Sequence, residues 1–261
     1  RAASRGPRMN REPGPLIFTH HAFDGSGSIV STAPNRFLDQ MRALVEAGFR
    51  CIDLEGWTDG GIPSDQKTFA LTFDDGDASI LKVAEPLADL GLRATIFVVA
   101  DRVGSDNGWP GQPRWVPRSR LLDWDELAAL RRIGFNIGSH TATHPDLTRL
   151  DARGLIREIK GARETIEDRL GSPCGLFAYP YGRTDRRCRR LVGSNHAAGF
   201  GTRLGRARRW ADATEYPRVD SYYLSHSCLL DRILEGQADG WLRARRKLRA
   251  IRSAVRWGRV G

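Results

Sequence analysis

Two short stretches hold side chains that could do chemistry together. In "LTFDDG", Leu71 to Gly76, an apolar run ends on adjacent aspartates, Asp74 and Asp75. In "SHTATH", Ser139 to His144, His140 and His144 stand four residues apart. Asp before Gly is ordinary turn chemistry, and one carboxylate there can cap a following helix by accepting backbone N–H bonds. That accounts for one acid. A second beside it brings like-charge repulsion into a half-buried place, which a cation would relieve. Histidines four apart on a helical turn would share one face, close enough to share an ion. Two histidines and one carboxylate are a common ligand set for catalytic Zn²⁺, with the other carboxylate free to act as a base. An HxxxH pair alone is often only a polar helix start; the apolar strand pattern "FNIGS" just before it favours a site.

The elements that must position these residues alternate along the chain. "PLIFTHHAF", "RCIDL", "KTFALTF", "RATIFVVA", "NIGS", "GLFAY" and "AAGFGTRL" read as short strands. Between them lie helical patterns: Phe37, Met41, Leu44 and Val45 before the stop at Gly48, then "SILKVAEPLADLGL", "LDWDELAALRRIGF" opened by Asp123, "LIREIKGARETIEDRLG", and Asp185 to Val192. This alternation predicts an α/β fold with a parallel sheet, open or closed into a barrel. The polar residues follow strands, and in such folds the C-terminal strand ends form the working face. The loop "NGWPGQPRWVPR" carries Trp109 and Trp115, either platforms for sugar rings or loop residues packed on their own domain.

The 261 residues suit one domain: a polar, Arg- and Gly-rich segment 1–14 read as disordered, a body over 15–240, and a basic C-terminal helix over 241–261. Cys51, Cys174, Cys188 and Cys228 form no CxxC pair and read as reduced, mostly core residues. The net charge of +10 sits mainly in a tail. Residues 241–261 hold eight Lys or Arg and no acid, which leaves +2 for the rest. There Trp241, Ala244, Leu248, Ile251 and Val255 make an apolar stripe flanked by arginines, suited to an anionic membrane surface or to docking on the domain itself. A charge confined to a tail, without interleaved aromatics, argues against a nucleic-acid partner. No stretch reaches the roughly 18 apolar residues of a membrane span, and no export signal is recognisable. The expectation is a cytoplasmic or cytoplasmic-membrane-associated protein, or an extracytoplasmic one if a signal has been trimmed.

"LTFDDG", "SHTATH" and "FAYPYG", in this order and spacing, resemble the successive motifs of the NodB-like polysaccharide deacetylases, carbohydrate esterase family four. The likeness runs from about Pro15 to Asp220. It implies a distorted (β/α) barrel with fewer than eight regular strands, and a metal-dependent hydrolase that removes N-acetyl groups from an N-acetylhexosamine-containing glycan or lipid-linked precursor. By position it implies Asp75, His140 and His144 as ligands of a divalent ion, Zn²⁺ first, Asp74 as general base, and the Tyr181 N–H as the oxyanion donor. Two departures stand out. Ala178 occupies the place of an arginine that orients the catalytic aspartate in many members, which leaves Arg218 of "YPRVD" as the candidate by its place in the chain. The late "LHD"-like acid motif is also missing: His226 in "YYLSHS" lacks that setting and reads as structural or exposed, and His196 as an exposed helical residue. Instead "PLIFTHHAF" resembles the first strand of circularly permuted members, which implies His20 as the acid, with His21 or neither as the alternatives; His21 points to the opposite face by the period of two. The alternatives are a deformylase, an O-acetyl esterase, or a glycan-binding protein weakened in turnover by Ala178.

Overall fold

The computed structural model describes residues 13–208, 211–226 and 228–257. Most of segment 1–14 and the side chains of His226, Ile251 and Val255 lie outside the described residues. Eight strands form one sheet: β1 (Leu16–His20), β2 (Arg50–Cys51), β3 (Thr68–Phe73), β4 (Ala94–Val98), β5 (Asn136–Ser139), β6 (Leu176–Ala178), β7 (Ala198–Leu204) and β8 (Tyr216–Asp220). Their order is β1-β8-β7-β6-β5-β4-β3-β2, and every pairing is parallel. Because β1 pairs with β8 and also with β3, over Leu16↔Phe69 to His20↔Phe73, seven strands close into a barrel. The two-residue β2 lies beside the start of β3, at Thr68 and Phe69.

Closure explains why the strands read as continuous apolar runs: both faces are covered. The ring of Phe97 on β4 meets that of Phe200 on β7 at 5.6 Å although two strands separate them in the sheet, so both point into the barrel. Ile17, Ala70, Ala178 and Tyr216 share that interior. The alternate residues, Leu16 and Phe18 on β1 and Leu71 and Phe73 on β3, face outward and pack with Phe37 and Met41 of helix Pro34–Glu46 and with Val83 and Leu87 of helix Leu81–Asp89. Full burial of one such side chain contributes about 1.5–3 kcal/mol.

Local signals place several boundaries. Asp123 opens helix Trp124–Arg132 in a reciprocal capping box with Glu126. Three elements differ from expectation. β8 carries Pro217, which speaks against a strand in sequence, yet it is a full member of the barrel. The helix expected over "LIREIKGARETIEDRLG" is α-helical over Ala152–Ile156 and Ala162–Leu170 but takes a π turn over Arg157–Gly161. The basic helix starts at Ala238 and runs to Trp257; Leu242 is buried and Trp241 packs against the domain core. None of the described helices is long and apolar enough to cross a membrane. All four cysteines are free; Cys174 and Cys188 are buried, Cys51 is half-buried and Cys228 is exposed.

Candidate metal and acid–base site

The C-terminal ends of β3, β5 and β6 bring the motif residues together. Beyond β3, Asp75 and Gly76 both take left-handed backbone conformations, with φ of 69° and 75°. This double reversal turns the chain sharply enough to aim the two carboxylates differently. Beyond β5, His140 and His144 do not sit on a helical turn as their spacing suggested. They lie in an irregular loop in which Thr141 and His144 have φ of 72° and 64°. Tyr181, after β6, has φ of 58°. Asp75, Thr141, His144 and Tyr181 are the only non-glycine residues of positive φ among the described residues. Each such conformation costs about 1–3 kcal/mol and persists where surrounding structure enforces it, which is typical of functional sites.

One ligand atom each from Asp75, His140 and His144 falls within 4.8 Å of the others. The Nε2 atoms of His140 and His144 approach Asp75 Oδ1 at 3.5 and 3.4 Å, and both imidazoles are buried. His140 Nδ1 lies 2.8 Å from the carbonyl oxygen of Ala178, which can only accept, so Nδ1 carries the proton and Nε2 presents a lone pair to the carboxylate. Asp75 Oδ1 is buried without a hydrogen-bond partner. Electron-rich atoms facing one another around an orphaned oxygen suit a cation between them, so the residues fit a divalent metal. Burial raises the Asp75 pKa, and burial with the neighbouring His140 lowers that of His144. His144 is held between the rings of Trp109, 4.2 Å away, and Tyr181, 4.7 Å away. Trp109 is thereby buried against the site, whereas Trp115 is exposed.

Asp74 points into the barrel, and Arg218 of β8 meets it there. Its Nη1 donates to Oδ1 and its Nη2 to Oδ2, both at 2.7 Å. The guanidinium also donates to Thr72 Oγ1 at 3.1 Å and Gly201 O at 3.0 Å. Burial alone would raise the Asp74 pKa, but Arg218 overrides it and holds the carboxyl well below the usual range.

The structure does not bring His20 to this group. The phase of β1 turns its ring outward, onto Phe37 at 4.7 Å, Phe23 at 5.6 Å and Phe73 at 6.1 Å. It is fully buried, neither ring nitrogen has a hydrogen-bond partner, and burial with the charge of His21 lowers its pKa to about 3. His21, one residue on, faces inward. It acts electrostatically on Asp74 and Asp75 and lines a narrow cleft with Asp75, Asp77, Asn107, Val30 and Val116. A one-residue step reverses the face, so His21, and not His20, lies beside the two aspartates. His196 is likewise not exposed: it is buried against Phe177 at the end of helix Arg186–Asn195.

Glu158 was not found from sequence. It leaves the π turn to accept hydrogen bonds from the N–H groups of Ala142 at 3.0 Å and Thr143 at 2.8 Å and from Thr143 Oγ1 at 2.8 Å. One signal was present: Glu158 falls on the helix face that buries Leu155, Ala162 and Ile166.

A sequence profile described as "Polysaccharide deacetylase" matches residues 61–198. Among curated proteins, chitin deacetylase 1 of Cryptococcus neoformans is 28% identical over 52% of this chain and 27% of its own length. Peptidoglycan-N-acetylmuramic acid deacetylase PdaC of Bacillus subtilis is 29% identical over 46% of this chain and 23% of its own. The aligned part of the chain thus spans about a quarter of the length of these relatives. Among solved structures, a polysaccharide deacetylase from Bacillus cereus superposes with a TM-score of 0.66 at 26% identity, covering 80% of this chain and 65% of its own. IcaB from Ammonifex degensii superposes with a TM-score of 0.69 at 21% identity, covering 87% and 98%, a likeness of fold.

Proposed function

Because the chain belongs to the polysaccharide deacetylase family, we propose that it hydrolyses N-acetyl groups of an N-acetylhexosamine-containing glycan or lipid-linked precursor, releasing acetate and a free amine. The observation that carries this reading is the pairing of an Asp-His-His cluster with a second, arginine-held carboxylate next to it. Asp75, His140 and His144 would hold the divalent ion, Zn²⁺ by their donor types. When bound, such an ion supplies Lewis acidity, lowering the pKa of water and polarising the acetyl carbonyl.

The chain's own groups do the rest. Asp74, kept ionised by Arg218, accepts the proton of the attacking water. The backbone N–H of Tyr181 faces the carbonyl oxygen as negative charge develops on it; loss of one such donor typically costs about 10²–10³ in rate. His21 delivers a proton to the departing nitrogen. An acid supplied from the N-terminal strand is what a circularly permuted member would show; the insertion of β1 between β3 and β8 supports that reading.

The basic helix adds a proposed contact with an anionic membrane surface. Leu248 is 49% exposed among exposed Arg243, Arg246, Lys247 and Arg249, while Leu242 anchors the helix on the domain. Each basic residue near such a surface contributes about 1 kcal/mol.

The test is acetate release from a panel of N-acetylated oligosaccharides, peptidoglycan fragments and O-acetylated xylan, before chelation, after it, and after Zn²⁺ is restored. Loss and recovery of acetate on the N-acetylated members supports the proposal. Acetate only from the O-acetyl ester, or none from any member, overturns it.

A further inference from the structure

The loop between the two histidines poses a problem of its own. Its residues must leave β5, pass through Thr141 at φ 72°, a conformation that a β-branched side chain resists, and arrive at His144 with φ 64° so that both imidazoles look at Asp75. On one side the loop is tied to the extension of β4: His140 N–H donates to Val98 O at 2.8 Å, Ala100 N–H to Thr141 O at 3.0 Å, and Asp101 N–H to Ala142 O at 2.9 Å. Within the loop the Thr141 hydroxyl accepts from the His144 N–H at 2.9 Å. The N–H groups of Ala142 and Thr143 find their acceptor on neither β4 nor the loop.

Glu158 meets them. Its Oε2 accepts from both N–H groups and its Oε1 from the Thr143 hydroxyl, so one carboxylate closes the side of the loop that the sheet cannot reach. The side chain is 3% exposed, deep for a glutamate that makes no salt bridge among the described residues. The helix changes its winding where Glu158 leaves it. The π turn Arg157–Gly161 is confined to five residues between two α-helical segments, and such single turns inside α-helices are frequent at functional sites.

We propose that Glu158 is a positioning residue for the metal centre: by bonding the backbone between His140 and His144, it fixes the separation and common aim of the two imidazoles. This rests on the reading of Asp75, His140 and His144 as a metal site and extends it to a residue outside the motifs. Both backbone N–H groups converge on Oε2 and the Thr143 hydroxyl on Oε1. Glutamine can set its amide oxygen in the place of Oε2 and turn its NH2 to the hydroxyl oxygen, so the change that removes the acceptors is Glu158→Ala.

The experiment uses the full chain and Zn²⁺ itself, titrated against a chromophoric chelator, with Co²⁺ absorption as a second readout. Wild type establishes whether the site binds metal at all; if it does not, the functional reading fails and this inference with it. Given a binding wild type, Glu158→Ala is expected to weaken Zn²⁺ by about 10- to 100-fold, the range for residues that orient metal ligands. The Co²⁺ bands should shift or broaden, while the metal-free melting temperature stays within a few degrees. Glu158→Asp should recover part of the affinity. Should Glu158→Ala fail to fold, Thr143→Val carries the test, with a fall of a few-fold expected from losing one of the three bonds. Wild-type affinity and an unchanged Co²⁺ spectrum in the folded variant would show that Glu158 only fills space, and the inference would be wrong.

Discussion

Arg218 of β8 and Asp74 beyond β3 form a two-pronged ion pair inside the barrel, with both N–H···O distances at 2.7 Å. The strand between them is β1, so the pair exists only because the barrel closes. It also answers the question posed by Ala178: the arginine comes from a different strand. Arg218→Lys keeps the charge but not the fork, and the expected loss is about a hundredfold in kcat, with KM little changed, through misplacement of Asp74. Arg218→Met leaves a buried carboxylate alone and is expected to destabilise the fold by about 3–5 kcal/mol. Adding Asp74→Asn to Arg218→Met should return much of that stability in denaturant titrations; strict additivity would contradict the coupling.

The two neighbouring histidines should separate cleanly. His21→Asn is expected to lower kcat by about 10²–10⁴, the usual contribution of a general acid. His20→Leu should leave kcat within a few-fold of wild type, because its ring packs between Phe37 and Phe73 on the far side of the strand. Steady-state kinetics with the two effects exchanged would restore His20 as the acid.

His20 has a second, pH-linked consequence. Its folded pKa is lowered to about 3, so the folded protein holds it neutral while the unfolded chain would protonate it near 6.5. The stability it contributes is whole above about pH 6.5 and is lost progressively as pH falls toward 3. His196, also lowered to about 3 by burial and by Arg163, loses stability over the same window. Melting temperature followed from pH 7 to 4 should therefore fall less steeply in His20→Leu than in wild type. Parallel curves would mean that His20 gains a proton without unfolding.

Metal removal should be visible in stability as well as in rate. A ligand present at about a hundred times its dissociation constant adds roughly 2.7 kcal/mol, so chelation is expected to lower the melting temperature by several degrees. Asp75→Asn and His144→Ala should abolish that difference. A wild-type protein whose melting is indifferent to chelator would argue against the Asp75–His140–His144 site.

The membrane proposal predicts salt-sensitive binding to vesicles containing anionic lipid and none to neutral ones. Because Leu242 is buried, truncation at 240 would damage the domain, and charge reversal at Arg243, Arg246 and Arg249 is the cleaner change. Equal vesicle binding by wild type and the reversed variant would dispose of the idea.

Much of the fold was legible because alternating strand and helix patterns leave few solutions, and the motif loops announced themselves by charges placed where charges are costly. What stayed hidden depended on closure and phase. Pro217 disguised β8, and with it the strand that delivers Arg218. The outward phase of His20 is set by which face of β1 meets Phe37, a tertiary fact that period-two reasoning can express but not choose. The spacing of His140 and His144 suggested a helix, whereas the actual loop is held by Glu158, which comes from a π turn that no helical template anticipates.

The division of labour between adjacent aspartates is the centre of the account, and Asp74→Asn tests it most directly. Acetate release from N-acetylated oligosaccharides and Zn²⁺ content should be measured together on wild type and variant. The account predicts acetate from the wild type, a loss of about a hundredfold or more in Asp74→Asn, and equal zinc in both, because Asp75 and the histidines hold the ion. Acetate release undiminished in the zinc-loaded variant, or a wild type that binds zinc and releases none, would contradict it.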